Sequence, residues 1–130
     1  MSVIEQLKIL KERYSMKIPK EYEEFIESTE PFDYSDSILK ANDIEIELNH
    51  FLKEDEGNPS RDLLSWYSYS EAERVDYLTI AMGYGNEEIA IKVKGNDVGG
   101  IYYIDQTEDV IIKKLYNNFN ELKKHLAKEI

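Results

Sequence analysis

Residues 77–106, YLTIAMGYGNEEIAIKVKGNDVGGIYYIDQ, hold three runs rich in β-branched and aromatic residues, each closed by a turn cluster. The run at 77–82 stops at Gly83-Tyr84-Gly85-Asn86, and the run at 87–93 stops at Gly95-Asn96-Asp97 and Gly99-Gly100. The third run is 101–105. Short strands joined by brief glycine-bearing connections predict an antiparallel meander. Its alternation predicts two faces. Leu78, Ile80 and Met82 form one row with Ile89, Ile91 and Val93, while Tyr77, Thr79, Glu88 and Lys92 point the other way. Such a sheet turns one face to a core and leaves the other to water or a partner.

Working outward, the N-terminal side predicts two helices. Ser2 with Glu5 three residues on makes a capping box, and Val3, Leu7, Leu10 and Tyr14 recur at helical spacing. A second helix starts at Pro19, where a missing N–H costs nothing, and Pro31 prevents continuation. Tyr22, Phe25 and Ile26 form its apolar face, with Phe25 as core anchor, and Glu21, Glu23 and Glu24 suit its N-terminal dipole. Ile44, Ile46 and Leu48 alternate with Asp43, Glu45 and Glu47, predicting a half-buried strand with an acidic outer row. A weaker strand precedes it at 37–41. The acidic row fits either a basic partner or a solvated face that discourages edge pairing.

Residues 49–76 are the least regular part. Glu54, Asp55 and Glu56 run into Gly57-Asn58-Pro59, which predicts a surface loop. Ser60 is placed to cap a short helix through Leu63, Leu64 and Tyr67, and Ser70 with Glu73 forms a second capping box. Trp66, Tyr67 and Tyr69 leave two readings open, a binding hot spot or a loop's own hydrophobic anchor. Beyond a turn at Thr107-Glu108-Asp109, residues 110–112 predict a short last strand. Asn118 with Glu121 caps a final helix whose Phe119, Leu122 and Leu126 face inward.

At 130 residues the chain is of one-domain size, long enough to bury roughly two thirds of its unfolded surface. With no cysteine it has neither disulfides nor thiolate metal sites. Neither a signal-peptide pattern nor a run of about 20 apolar residues is present, so the expectation is a soluble, cytoplasmic protein off the membrane. The net charge of −11 is concentrated: residues 27–109 carry 20 acids against 6 bases. Such a region repels nucleic acid and anionic lipid and speeds encounter with a basic protein. Acidity of this kind also serves solubility alone.

Three stretches resemble the SUKH superfamily, which includes bacterial immunity proteins and fungal cell-wall assembly regulators. Ile18-Pro19-Lys20-Glu21-Tyr22-Glu23-Glu24-Phe25-Ile26 is similar to the family's Leu-Pro-x-x-Tyr-x-x-Phe helix. Gly83-Tyr84-Gly85-Asn86 with Ile89-Ala90-Ile91 and Gly100-Ile101-Tyr102-Tyr103-Ile104-Asp105 resembles its central meander. Asn118-Phe119-Asn120-Glu121-Leu122 resembles the Ser-Phe-x-x-Phe start of its last helix. Two departures stand out. Ser28-Thr29-Glu30-Pro31 replaces the usual glycine-rich turn, and Gln106 stands where a histidine is common. The resemblance implies a single α+β domain over residues 1–130, with an antiparallel sheet of about five to six strands. It implies N-terminal helices and a C-terminal helix packed on one face. For a bacterial single-domain member it implies neutralisation of a partner toxin, often a nuclease, and for fungal relatives a regulatory scaffold.

Signatures of catalysis are scarce. Gly83-x-Gly85-x-x-Glu88 lacks the third glycine of a dinucleotide fingerprint and precedes a strand. Glu54-Asp55-Glu56 are consecutive, without the alternation of a calcium loop. His50 and His125, the only histidines, are far apart in sequence. The expectation is therefore a binding protein, not an enzyme, with neither cofactor nor metal, as a monomer or weak homodimer. Its expected partner is a basic toxin, with a nuclease domain in view. Asp43, Glu45, Glu47, Glu54, Asp55, Glu56, Glu87 and Glu88 are the candidate steering acids, and Trp66, Tyr67, Tyr69 and Tyr84 the candidate anchors.

Overall fold

The computed structural model describes residues 1–30, 33–54, 62–106 and 110–126, with 71–73 described in backbone only. Within them run α1 (Val3–Arg13), α2 (Lys20–Ser28), β1 (Ile38–Ala41), β2 (Ile44–Phe51) and α3 (Leu63–Arg74). β3 (Tyr77–Gly83), β4 (Glu87–Lys92), β5 (Ile101–Asp105), β6 (Ile111–Tyr116) and α4 (Phe119–Lys123) follow. The strands form one sheet in sequential order, every neighbouring pair antiparallel. The fold is α+β, and the meander at 77–106 is its centre.

The register corrects the expected faces in one respect. Thr79 pairs with Ala90 and Ala81 with Ile89, so Ile80 is an extra residue on β3. Such a bulge reverses the phase of the strand beyond it. Ala81 takes the core position against Ile89, and Met82 turns to the opposite face, opposite Glu88. Leu78, Ile80, Ala81, Ile89, Ile91 and Ile101 are fully buried. On that face Phe25 of α2 meets Phe51 of β2 and Phe119 of α4, with ring centroids 5.2 and 5.1 Å away. α2 and α4 thus share the core side of the sheet.

The second face is not open along its length. Thr79, Glu88, Ala90 and Ile104 lie on it by register, and all four are buried. α3 closes it from the side of β3. Its Leu63, Tyr67, Ser70 and Arg74, at helical spacing, are all buried. The helix is longer than expected and starts elsewhere: Asp62 is the N-cap, its Oδ2 accepting from the Ser65 N–H at 3.0 Å. Ser60 lies outside the described residues. Ser70 caps nothing, since it sits inside α3 and its hydroxyl donates back to the Trp66 carbonyl at 3.0 Å.

The other caps follow the sequence. Ser2 Oγ accepts from the Glu5 N–H at 3.2 Å, and Asn118 Oδ1 from the Glu121 N–H at 3.0 Å. Pro19 stands one residue before α2 as its N-cap. β6 is twice the expected length, and Tyr116 at its end donates its hydroxyl to the Lys40 carbonyl at 2.8 Å. β1 and β6 are the two sheet edges, so this bond means the sheet curls until its edges approach at one corner.

Candidate partner surface at the end of the sheet

The β3–β4 turn sets one end of the sheet. Gly85 has φ of +87°, a conformation glycine adopts without strain. Gly83 admits a close approach: a Cβ there would lie 3.1 Å from Glu87 Cβ and 3.4 Å from the Glu47 carbonyl. The Glu47 backbone and Glu87, distant in sequence, are thereby brought to the same end of the sheet, Glu47 on β2 and Glu87 on β4. Glu87 pairs with Asp105 on β5, and Asp36 joins from the turn before β1, its N–H bonded to the Leu48 carbonyl at 2.7 Å.

Two tyrosines are fastened to these acids. Tyr84 donates to Asp36 Oδ1 at 2.8 Å, and Tyr103 to Asp105 Oδ2 at 2.9 Å. The hydrogen bond to Asp36 is the main cause that pushes the Tyr84 phenol up, followed by desolvation and the charges of Asp36 and Glu47. Burial, then the bond to Asp105 and the charges of Asp105 and Glu87, push Tyr103 up to about 12. Burial first and Asp105 second raise the Glu87 carboxyl above the usual carboxylate range. Asp36, Glu47 and Glu87 take part in no salt bridge among the described residues. A cation brought here would relieve the mutual repulsion.

Not every candidate residue belongs to this surface. Glu45 is exposed on the outer row of β2, but Lys40 stands opposite it. Asp43 is in the two-residue turn between β1 and β2, not in the strand. Glu54 Oε1 accepts from the Val3 N–H at 3.1 Å, so it satisfies the N-terminus of α1. Asp55 and Glu56 lie outside the described residues. Tyr69 is 80% exposed and stands beside the half-buried Trp66, ring centroids 5.6 Å apart.

Tyr67 and Glu88 are corrected outright. Tyr67 is a core residue on α3, edge-on to Tyr14, with its hydroxyl on the Val75 carbonyl at 2.8 Å. Glu88 is only 2% exposed. Its Oε1 accepts from Arg74 Nη1 at 3.0 Å, Trp66 Nε1 at 2.9 Å and Thr79 Oγ1 at 2.7 Å. This buried centre ties α3 to β3 and β4 and fixes the indole of Trp66 at the end of the sheet. Asp36, Asp105 and Tyr103 are the residues that sequence reasoning missed for the acidic end. Asp105 was legible in principle as the last residue of β5, beside the turn.

No group of three or more His, Asp or Glu among the described residues is arranged to hold a metal ion. No helix among them is long and apolar enough to cross a membrane. The architecture is that of an α+β domain with acidic residues at one end of its sheet. The sequence pattern of the SMI1 / KNR4 family (SUKH-1) matches residues 4–124, and the chain belongs to that family. The family is one of immunity-type or cell-wall-regulator-like domains, and this chain is a domain of that general kind. No curated protein matches it.

Proposed function

We propose that the protein is an immunity-type binding protein that neutralises a basic toxin by covering it. The observation that carries this reading is the gathering of Asp36, Glu47, Glu87 and Asp105 at one end of the sheet, with Tyr84 and Tyr103 among them. A nuclease is the toxin class that suits it best. Nucleases hold phosphates on basic surfaces, and an acidic platform can occupy such a surface in place of nucleic acid. Tyr84, 48% exposed, is the anchor, since a rigid amphipathic ring contributes contact area at little entropic cost. Tyr69 and Trp66 border the same end, and a surface of about 800 Å² per partner accommodates them all. Glu45, with Asp43 at the neighbouring turn, contributes long-range steering.

The mode of action is occlusion without chemistry, in the cytoplasm where such a toxin would act on its producer. Co-expression with the product of the neighbouring gene tests it: cells survive with the wild-type protein and die with Glu47→Lys/Glu87→Lys. Survival with the double variant, or the absence of any complex with a basic protein, contradicts the reading. The family match also accommodates a regulatory scaffold. A chain encoded away from any toxin, binding several partners through this end, would favour the scaffold.

A further inference from the structure

β6 is an edge strand, and β1 approaches it at one corner alone, where the Tyr116 hydroxyl reaches the Lys40 carbonyl. Even there a cleft of about 200 Å³ opens between Asn42 and the side chains of Lys114, Leu115 and Tyr116. Along 110–113 no described strand pairs with the outer side. Val110, Ile111 and Ile112 are 50%, 42% and 37% exposed, and no other run of three large apolar residues is exposed among the described residues. A free edge with apolar side chains on both faces is a template for another strand.

The charges of this edge choose the occupant. Register sets Ile111 opposite Asp105 and Asp105 opposite Glu87, so one row of the core face is acidic up to the edge. Lys113 stands on the same face, opposite Tyr103, while Ile112 and Lys114 lie on the second face, opposite Ile104 and Tyr102. Lys114 is bound to Asp97 at 2.8 Å, but Lys113 is exposed and in no salt bridge among the described residues. The edge therefore offers an acidic row and, one row away, a cation that would complement it. A second copy of the same edge, run antiparallel, brings the two together.

We propose that β6 pairs with β6 of a second copy about a twofold axis through Ile112, making a weak dimer with one continuous sheet. Ile112 then meets Ile112 of the partner subunit, Ile111 the partner subunit's Lys113, and Val110 the partner subunit's Lys114. Every side chain stays on its own face, as a continuous sheet requires. The row Glu87, Asp105, Ile111 is extended by the partner subunit's Lys113, two strand spacings or roughly 10 Å from Asp105 and within the joint reach of the two side chains. Lysines on an edge usually discourage pairing. Here they select the register, because an axis through Lys113 would set lysine against lysine. An isologous contact of this kind closes on itself and stops at two copies. The inference goes beyond the reading of a basic partner and does not depend on it.

Sedimentation of the purified chain up to about 1 mM is expected to show a monomer–dimer equilibrium with Kd on the order of 100 µM, since 110–114 is a short contact. Ile112→Lys puts like charges on the axis and is expected to raise that Kd about tenfold; the position is exposed, and circular dichroism confirms that the variant is folded. The chain has no cysteine, so introduced ones report the register. Opposed residues of an antiparallel pair have Cα atoms roughly 4.5–5.5 Å apart, inside disulfide range. Under mild oxidation Ile112→Cys is expected to cross-link at least about tenfold faster than Ile4→Cys, an exposed position on α1. A mixture of Ile111→Cys and Lys113→Cys is expected to cross-link faster than either alone. A monomer at every concentration overturns the inference, as does a dimer indifferent to Ile112→Lys. Cross-linking of Ile112→Cys no faster than that of Ile4→Cys also overturns it, and so does open-ended assembly, which would join β6 to β1 instead.

Discussion

The Glu88 centre yields a prediction whose size follows from the geometry. Arg74 and Glu88 lie 3.0 Å apart with both side chains 3% exposed, so their charges are out of reach of bulk water. Arg74→Met keeps the volume but leaves a buried carboxylate without its counter-charge. Breaking a buried pair from one side costs about 3–5 kcal/mol, because the remaining ion has lost its solvation and its partner. Single domains are stable by only about 5–15 kcal/mol, so a third or more of the stability is at stake. Adding Glu88→Gln removes the charge and keeps an amide oxygen for Trp66 and Thr79. The double variant should therefore recover at least half of the loss. Urea unfolding of the wild type, both single variants and the double variant, followed by Trp66 fluorescence, completes the thermodynamic cycle. A cost below about 1 kcal/mol for Arg74→Met, or no recovery in the double variant, refutes the claim that this pair is a charge-dependent clamp between α3 and the sheet.

Three further predictions concern the site and the core. The Glu87 carboxyl is raised above its ordinary value of 4.5, so the fold disfavours its charged form. Stability is therefore lost above the raised value and regained as pH falls towards 4.5. Glu87→Gln should raise the melting temperature at neutral pH, with a gain that fades towards pH 4.5, while partner binding weakens; an unchanged or lower melting temperature at neutral pH contradicts this. Phe25→Ala removes the ring that joins Phe51 and Phe119 and should cost about 3–5 kcal/mol in urea unfolding. Gly85→Ala meets no neighbouring atom within 4 Å, so its cost is the left-handed backbone alone, about 1–2 kcal/mol by the same measurement.

The meander was legible because its signals are local: β-branched runs alternate with glycine turns whose conformations few other residues adopt. The extra residue at Ile80 has no such signal, since Leu78-Thr79-Ile80-Ala81-Met82 alternates as well with a bulge as without one. Glu88 was misplaced for a related reason. Period-two alternation separates two faces but does not say which is wet, and a charged residue is the usual sign of water. Here its counter-ion sits 14 residues earlier, on a helix that the sequence only half revealed. Ser65, Ser68 and Ser70 lower the helical propensity of α3, and its buried stripe ends on Arg74, a residue type rarely buried unless paired. Lys113 and Lys114 hid the second half of β6 in the same way. The acidic end was partly legible. Glu47, Tyr84 and Glu87 each belong to a recognisable strand or turn, but only the sheet order brings Asp36 and Asp105 beside them.

The association rate of the proposed basic partner tests the central claim most directly. Stopped-flow mixing at low and at near-physiological salt would compare the wild type with Glu47→Lys/Glu87→Lys. Electrostatic steering by the acidic end predicts a wild-type rate that falls steeply as salt rises, and a rate at least about tenfold slower for the double variant at low salt. Equal rates for the two proteins, independent of salt, would contradict the assignment of this sheet end as the surface that meets a basic partner.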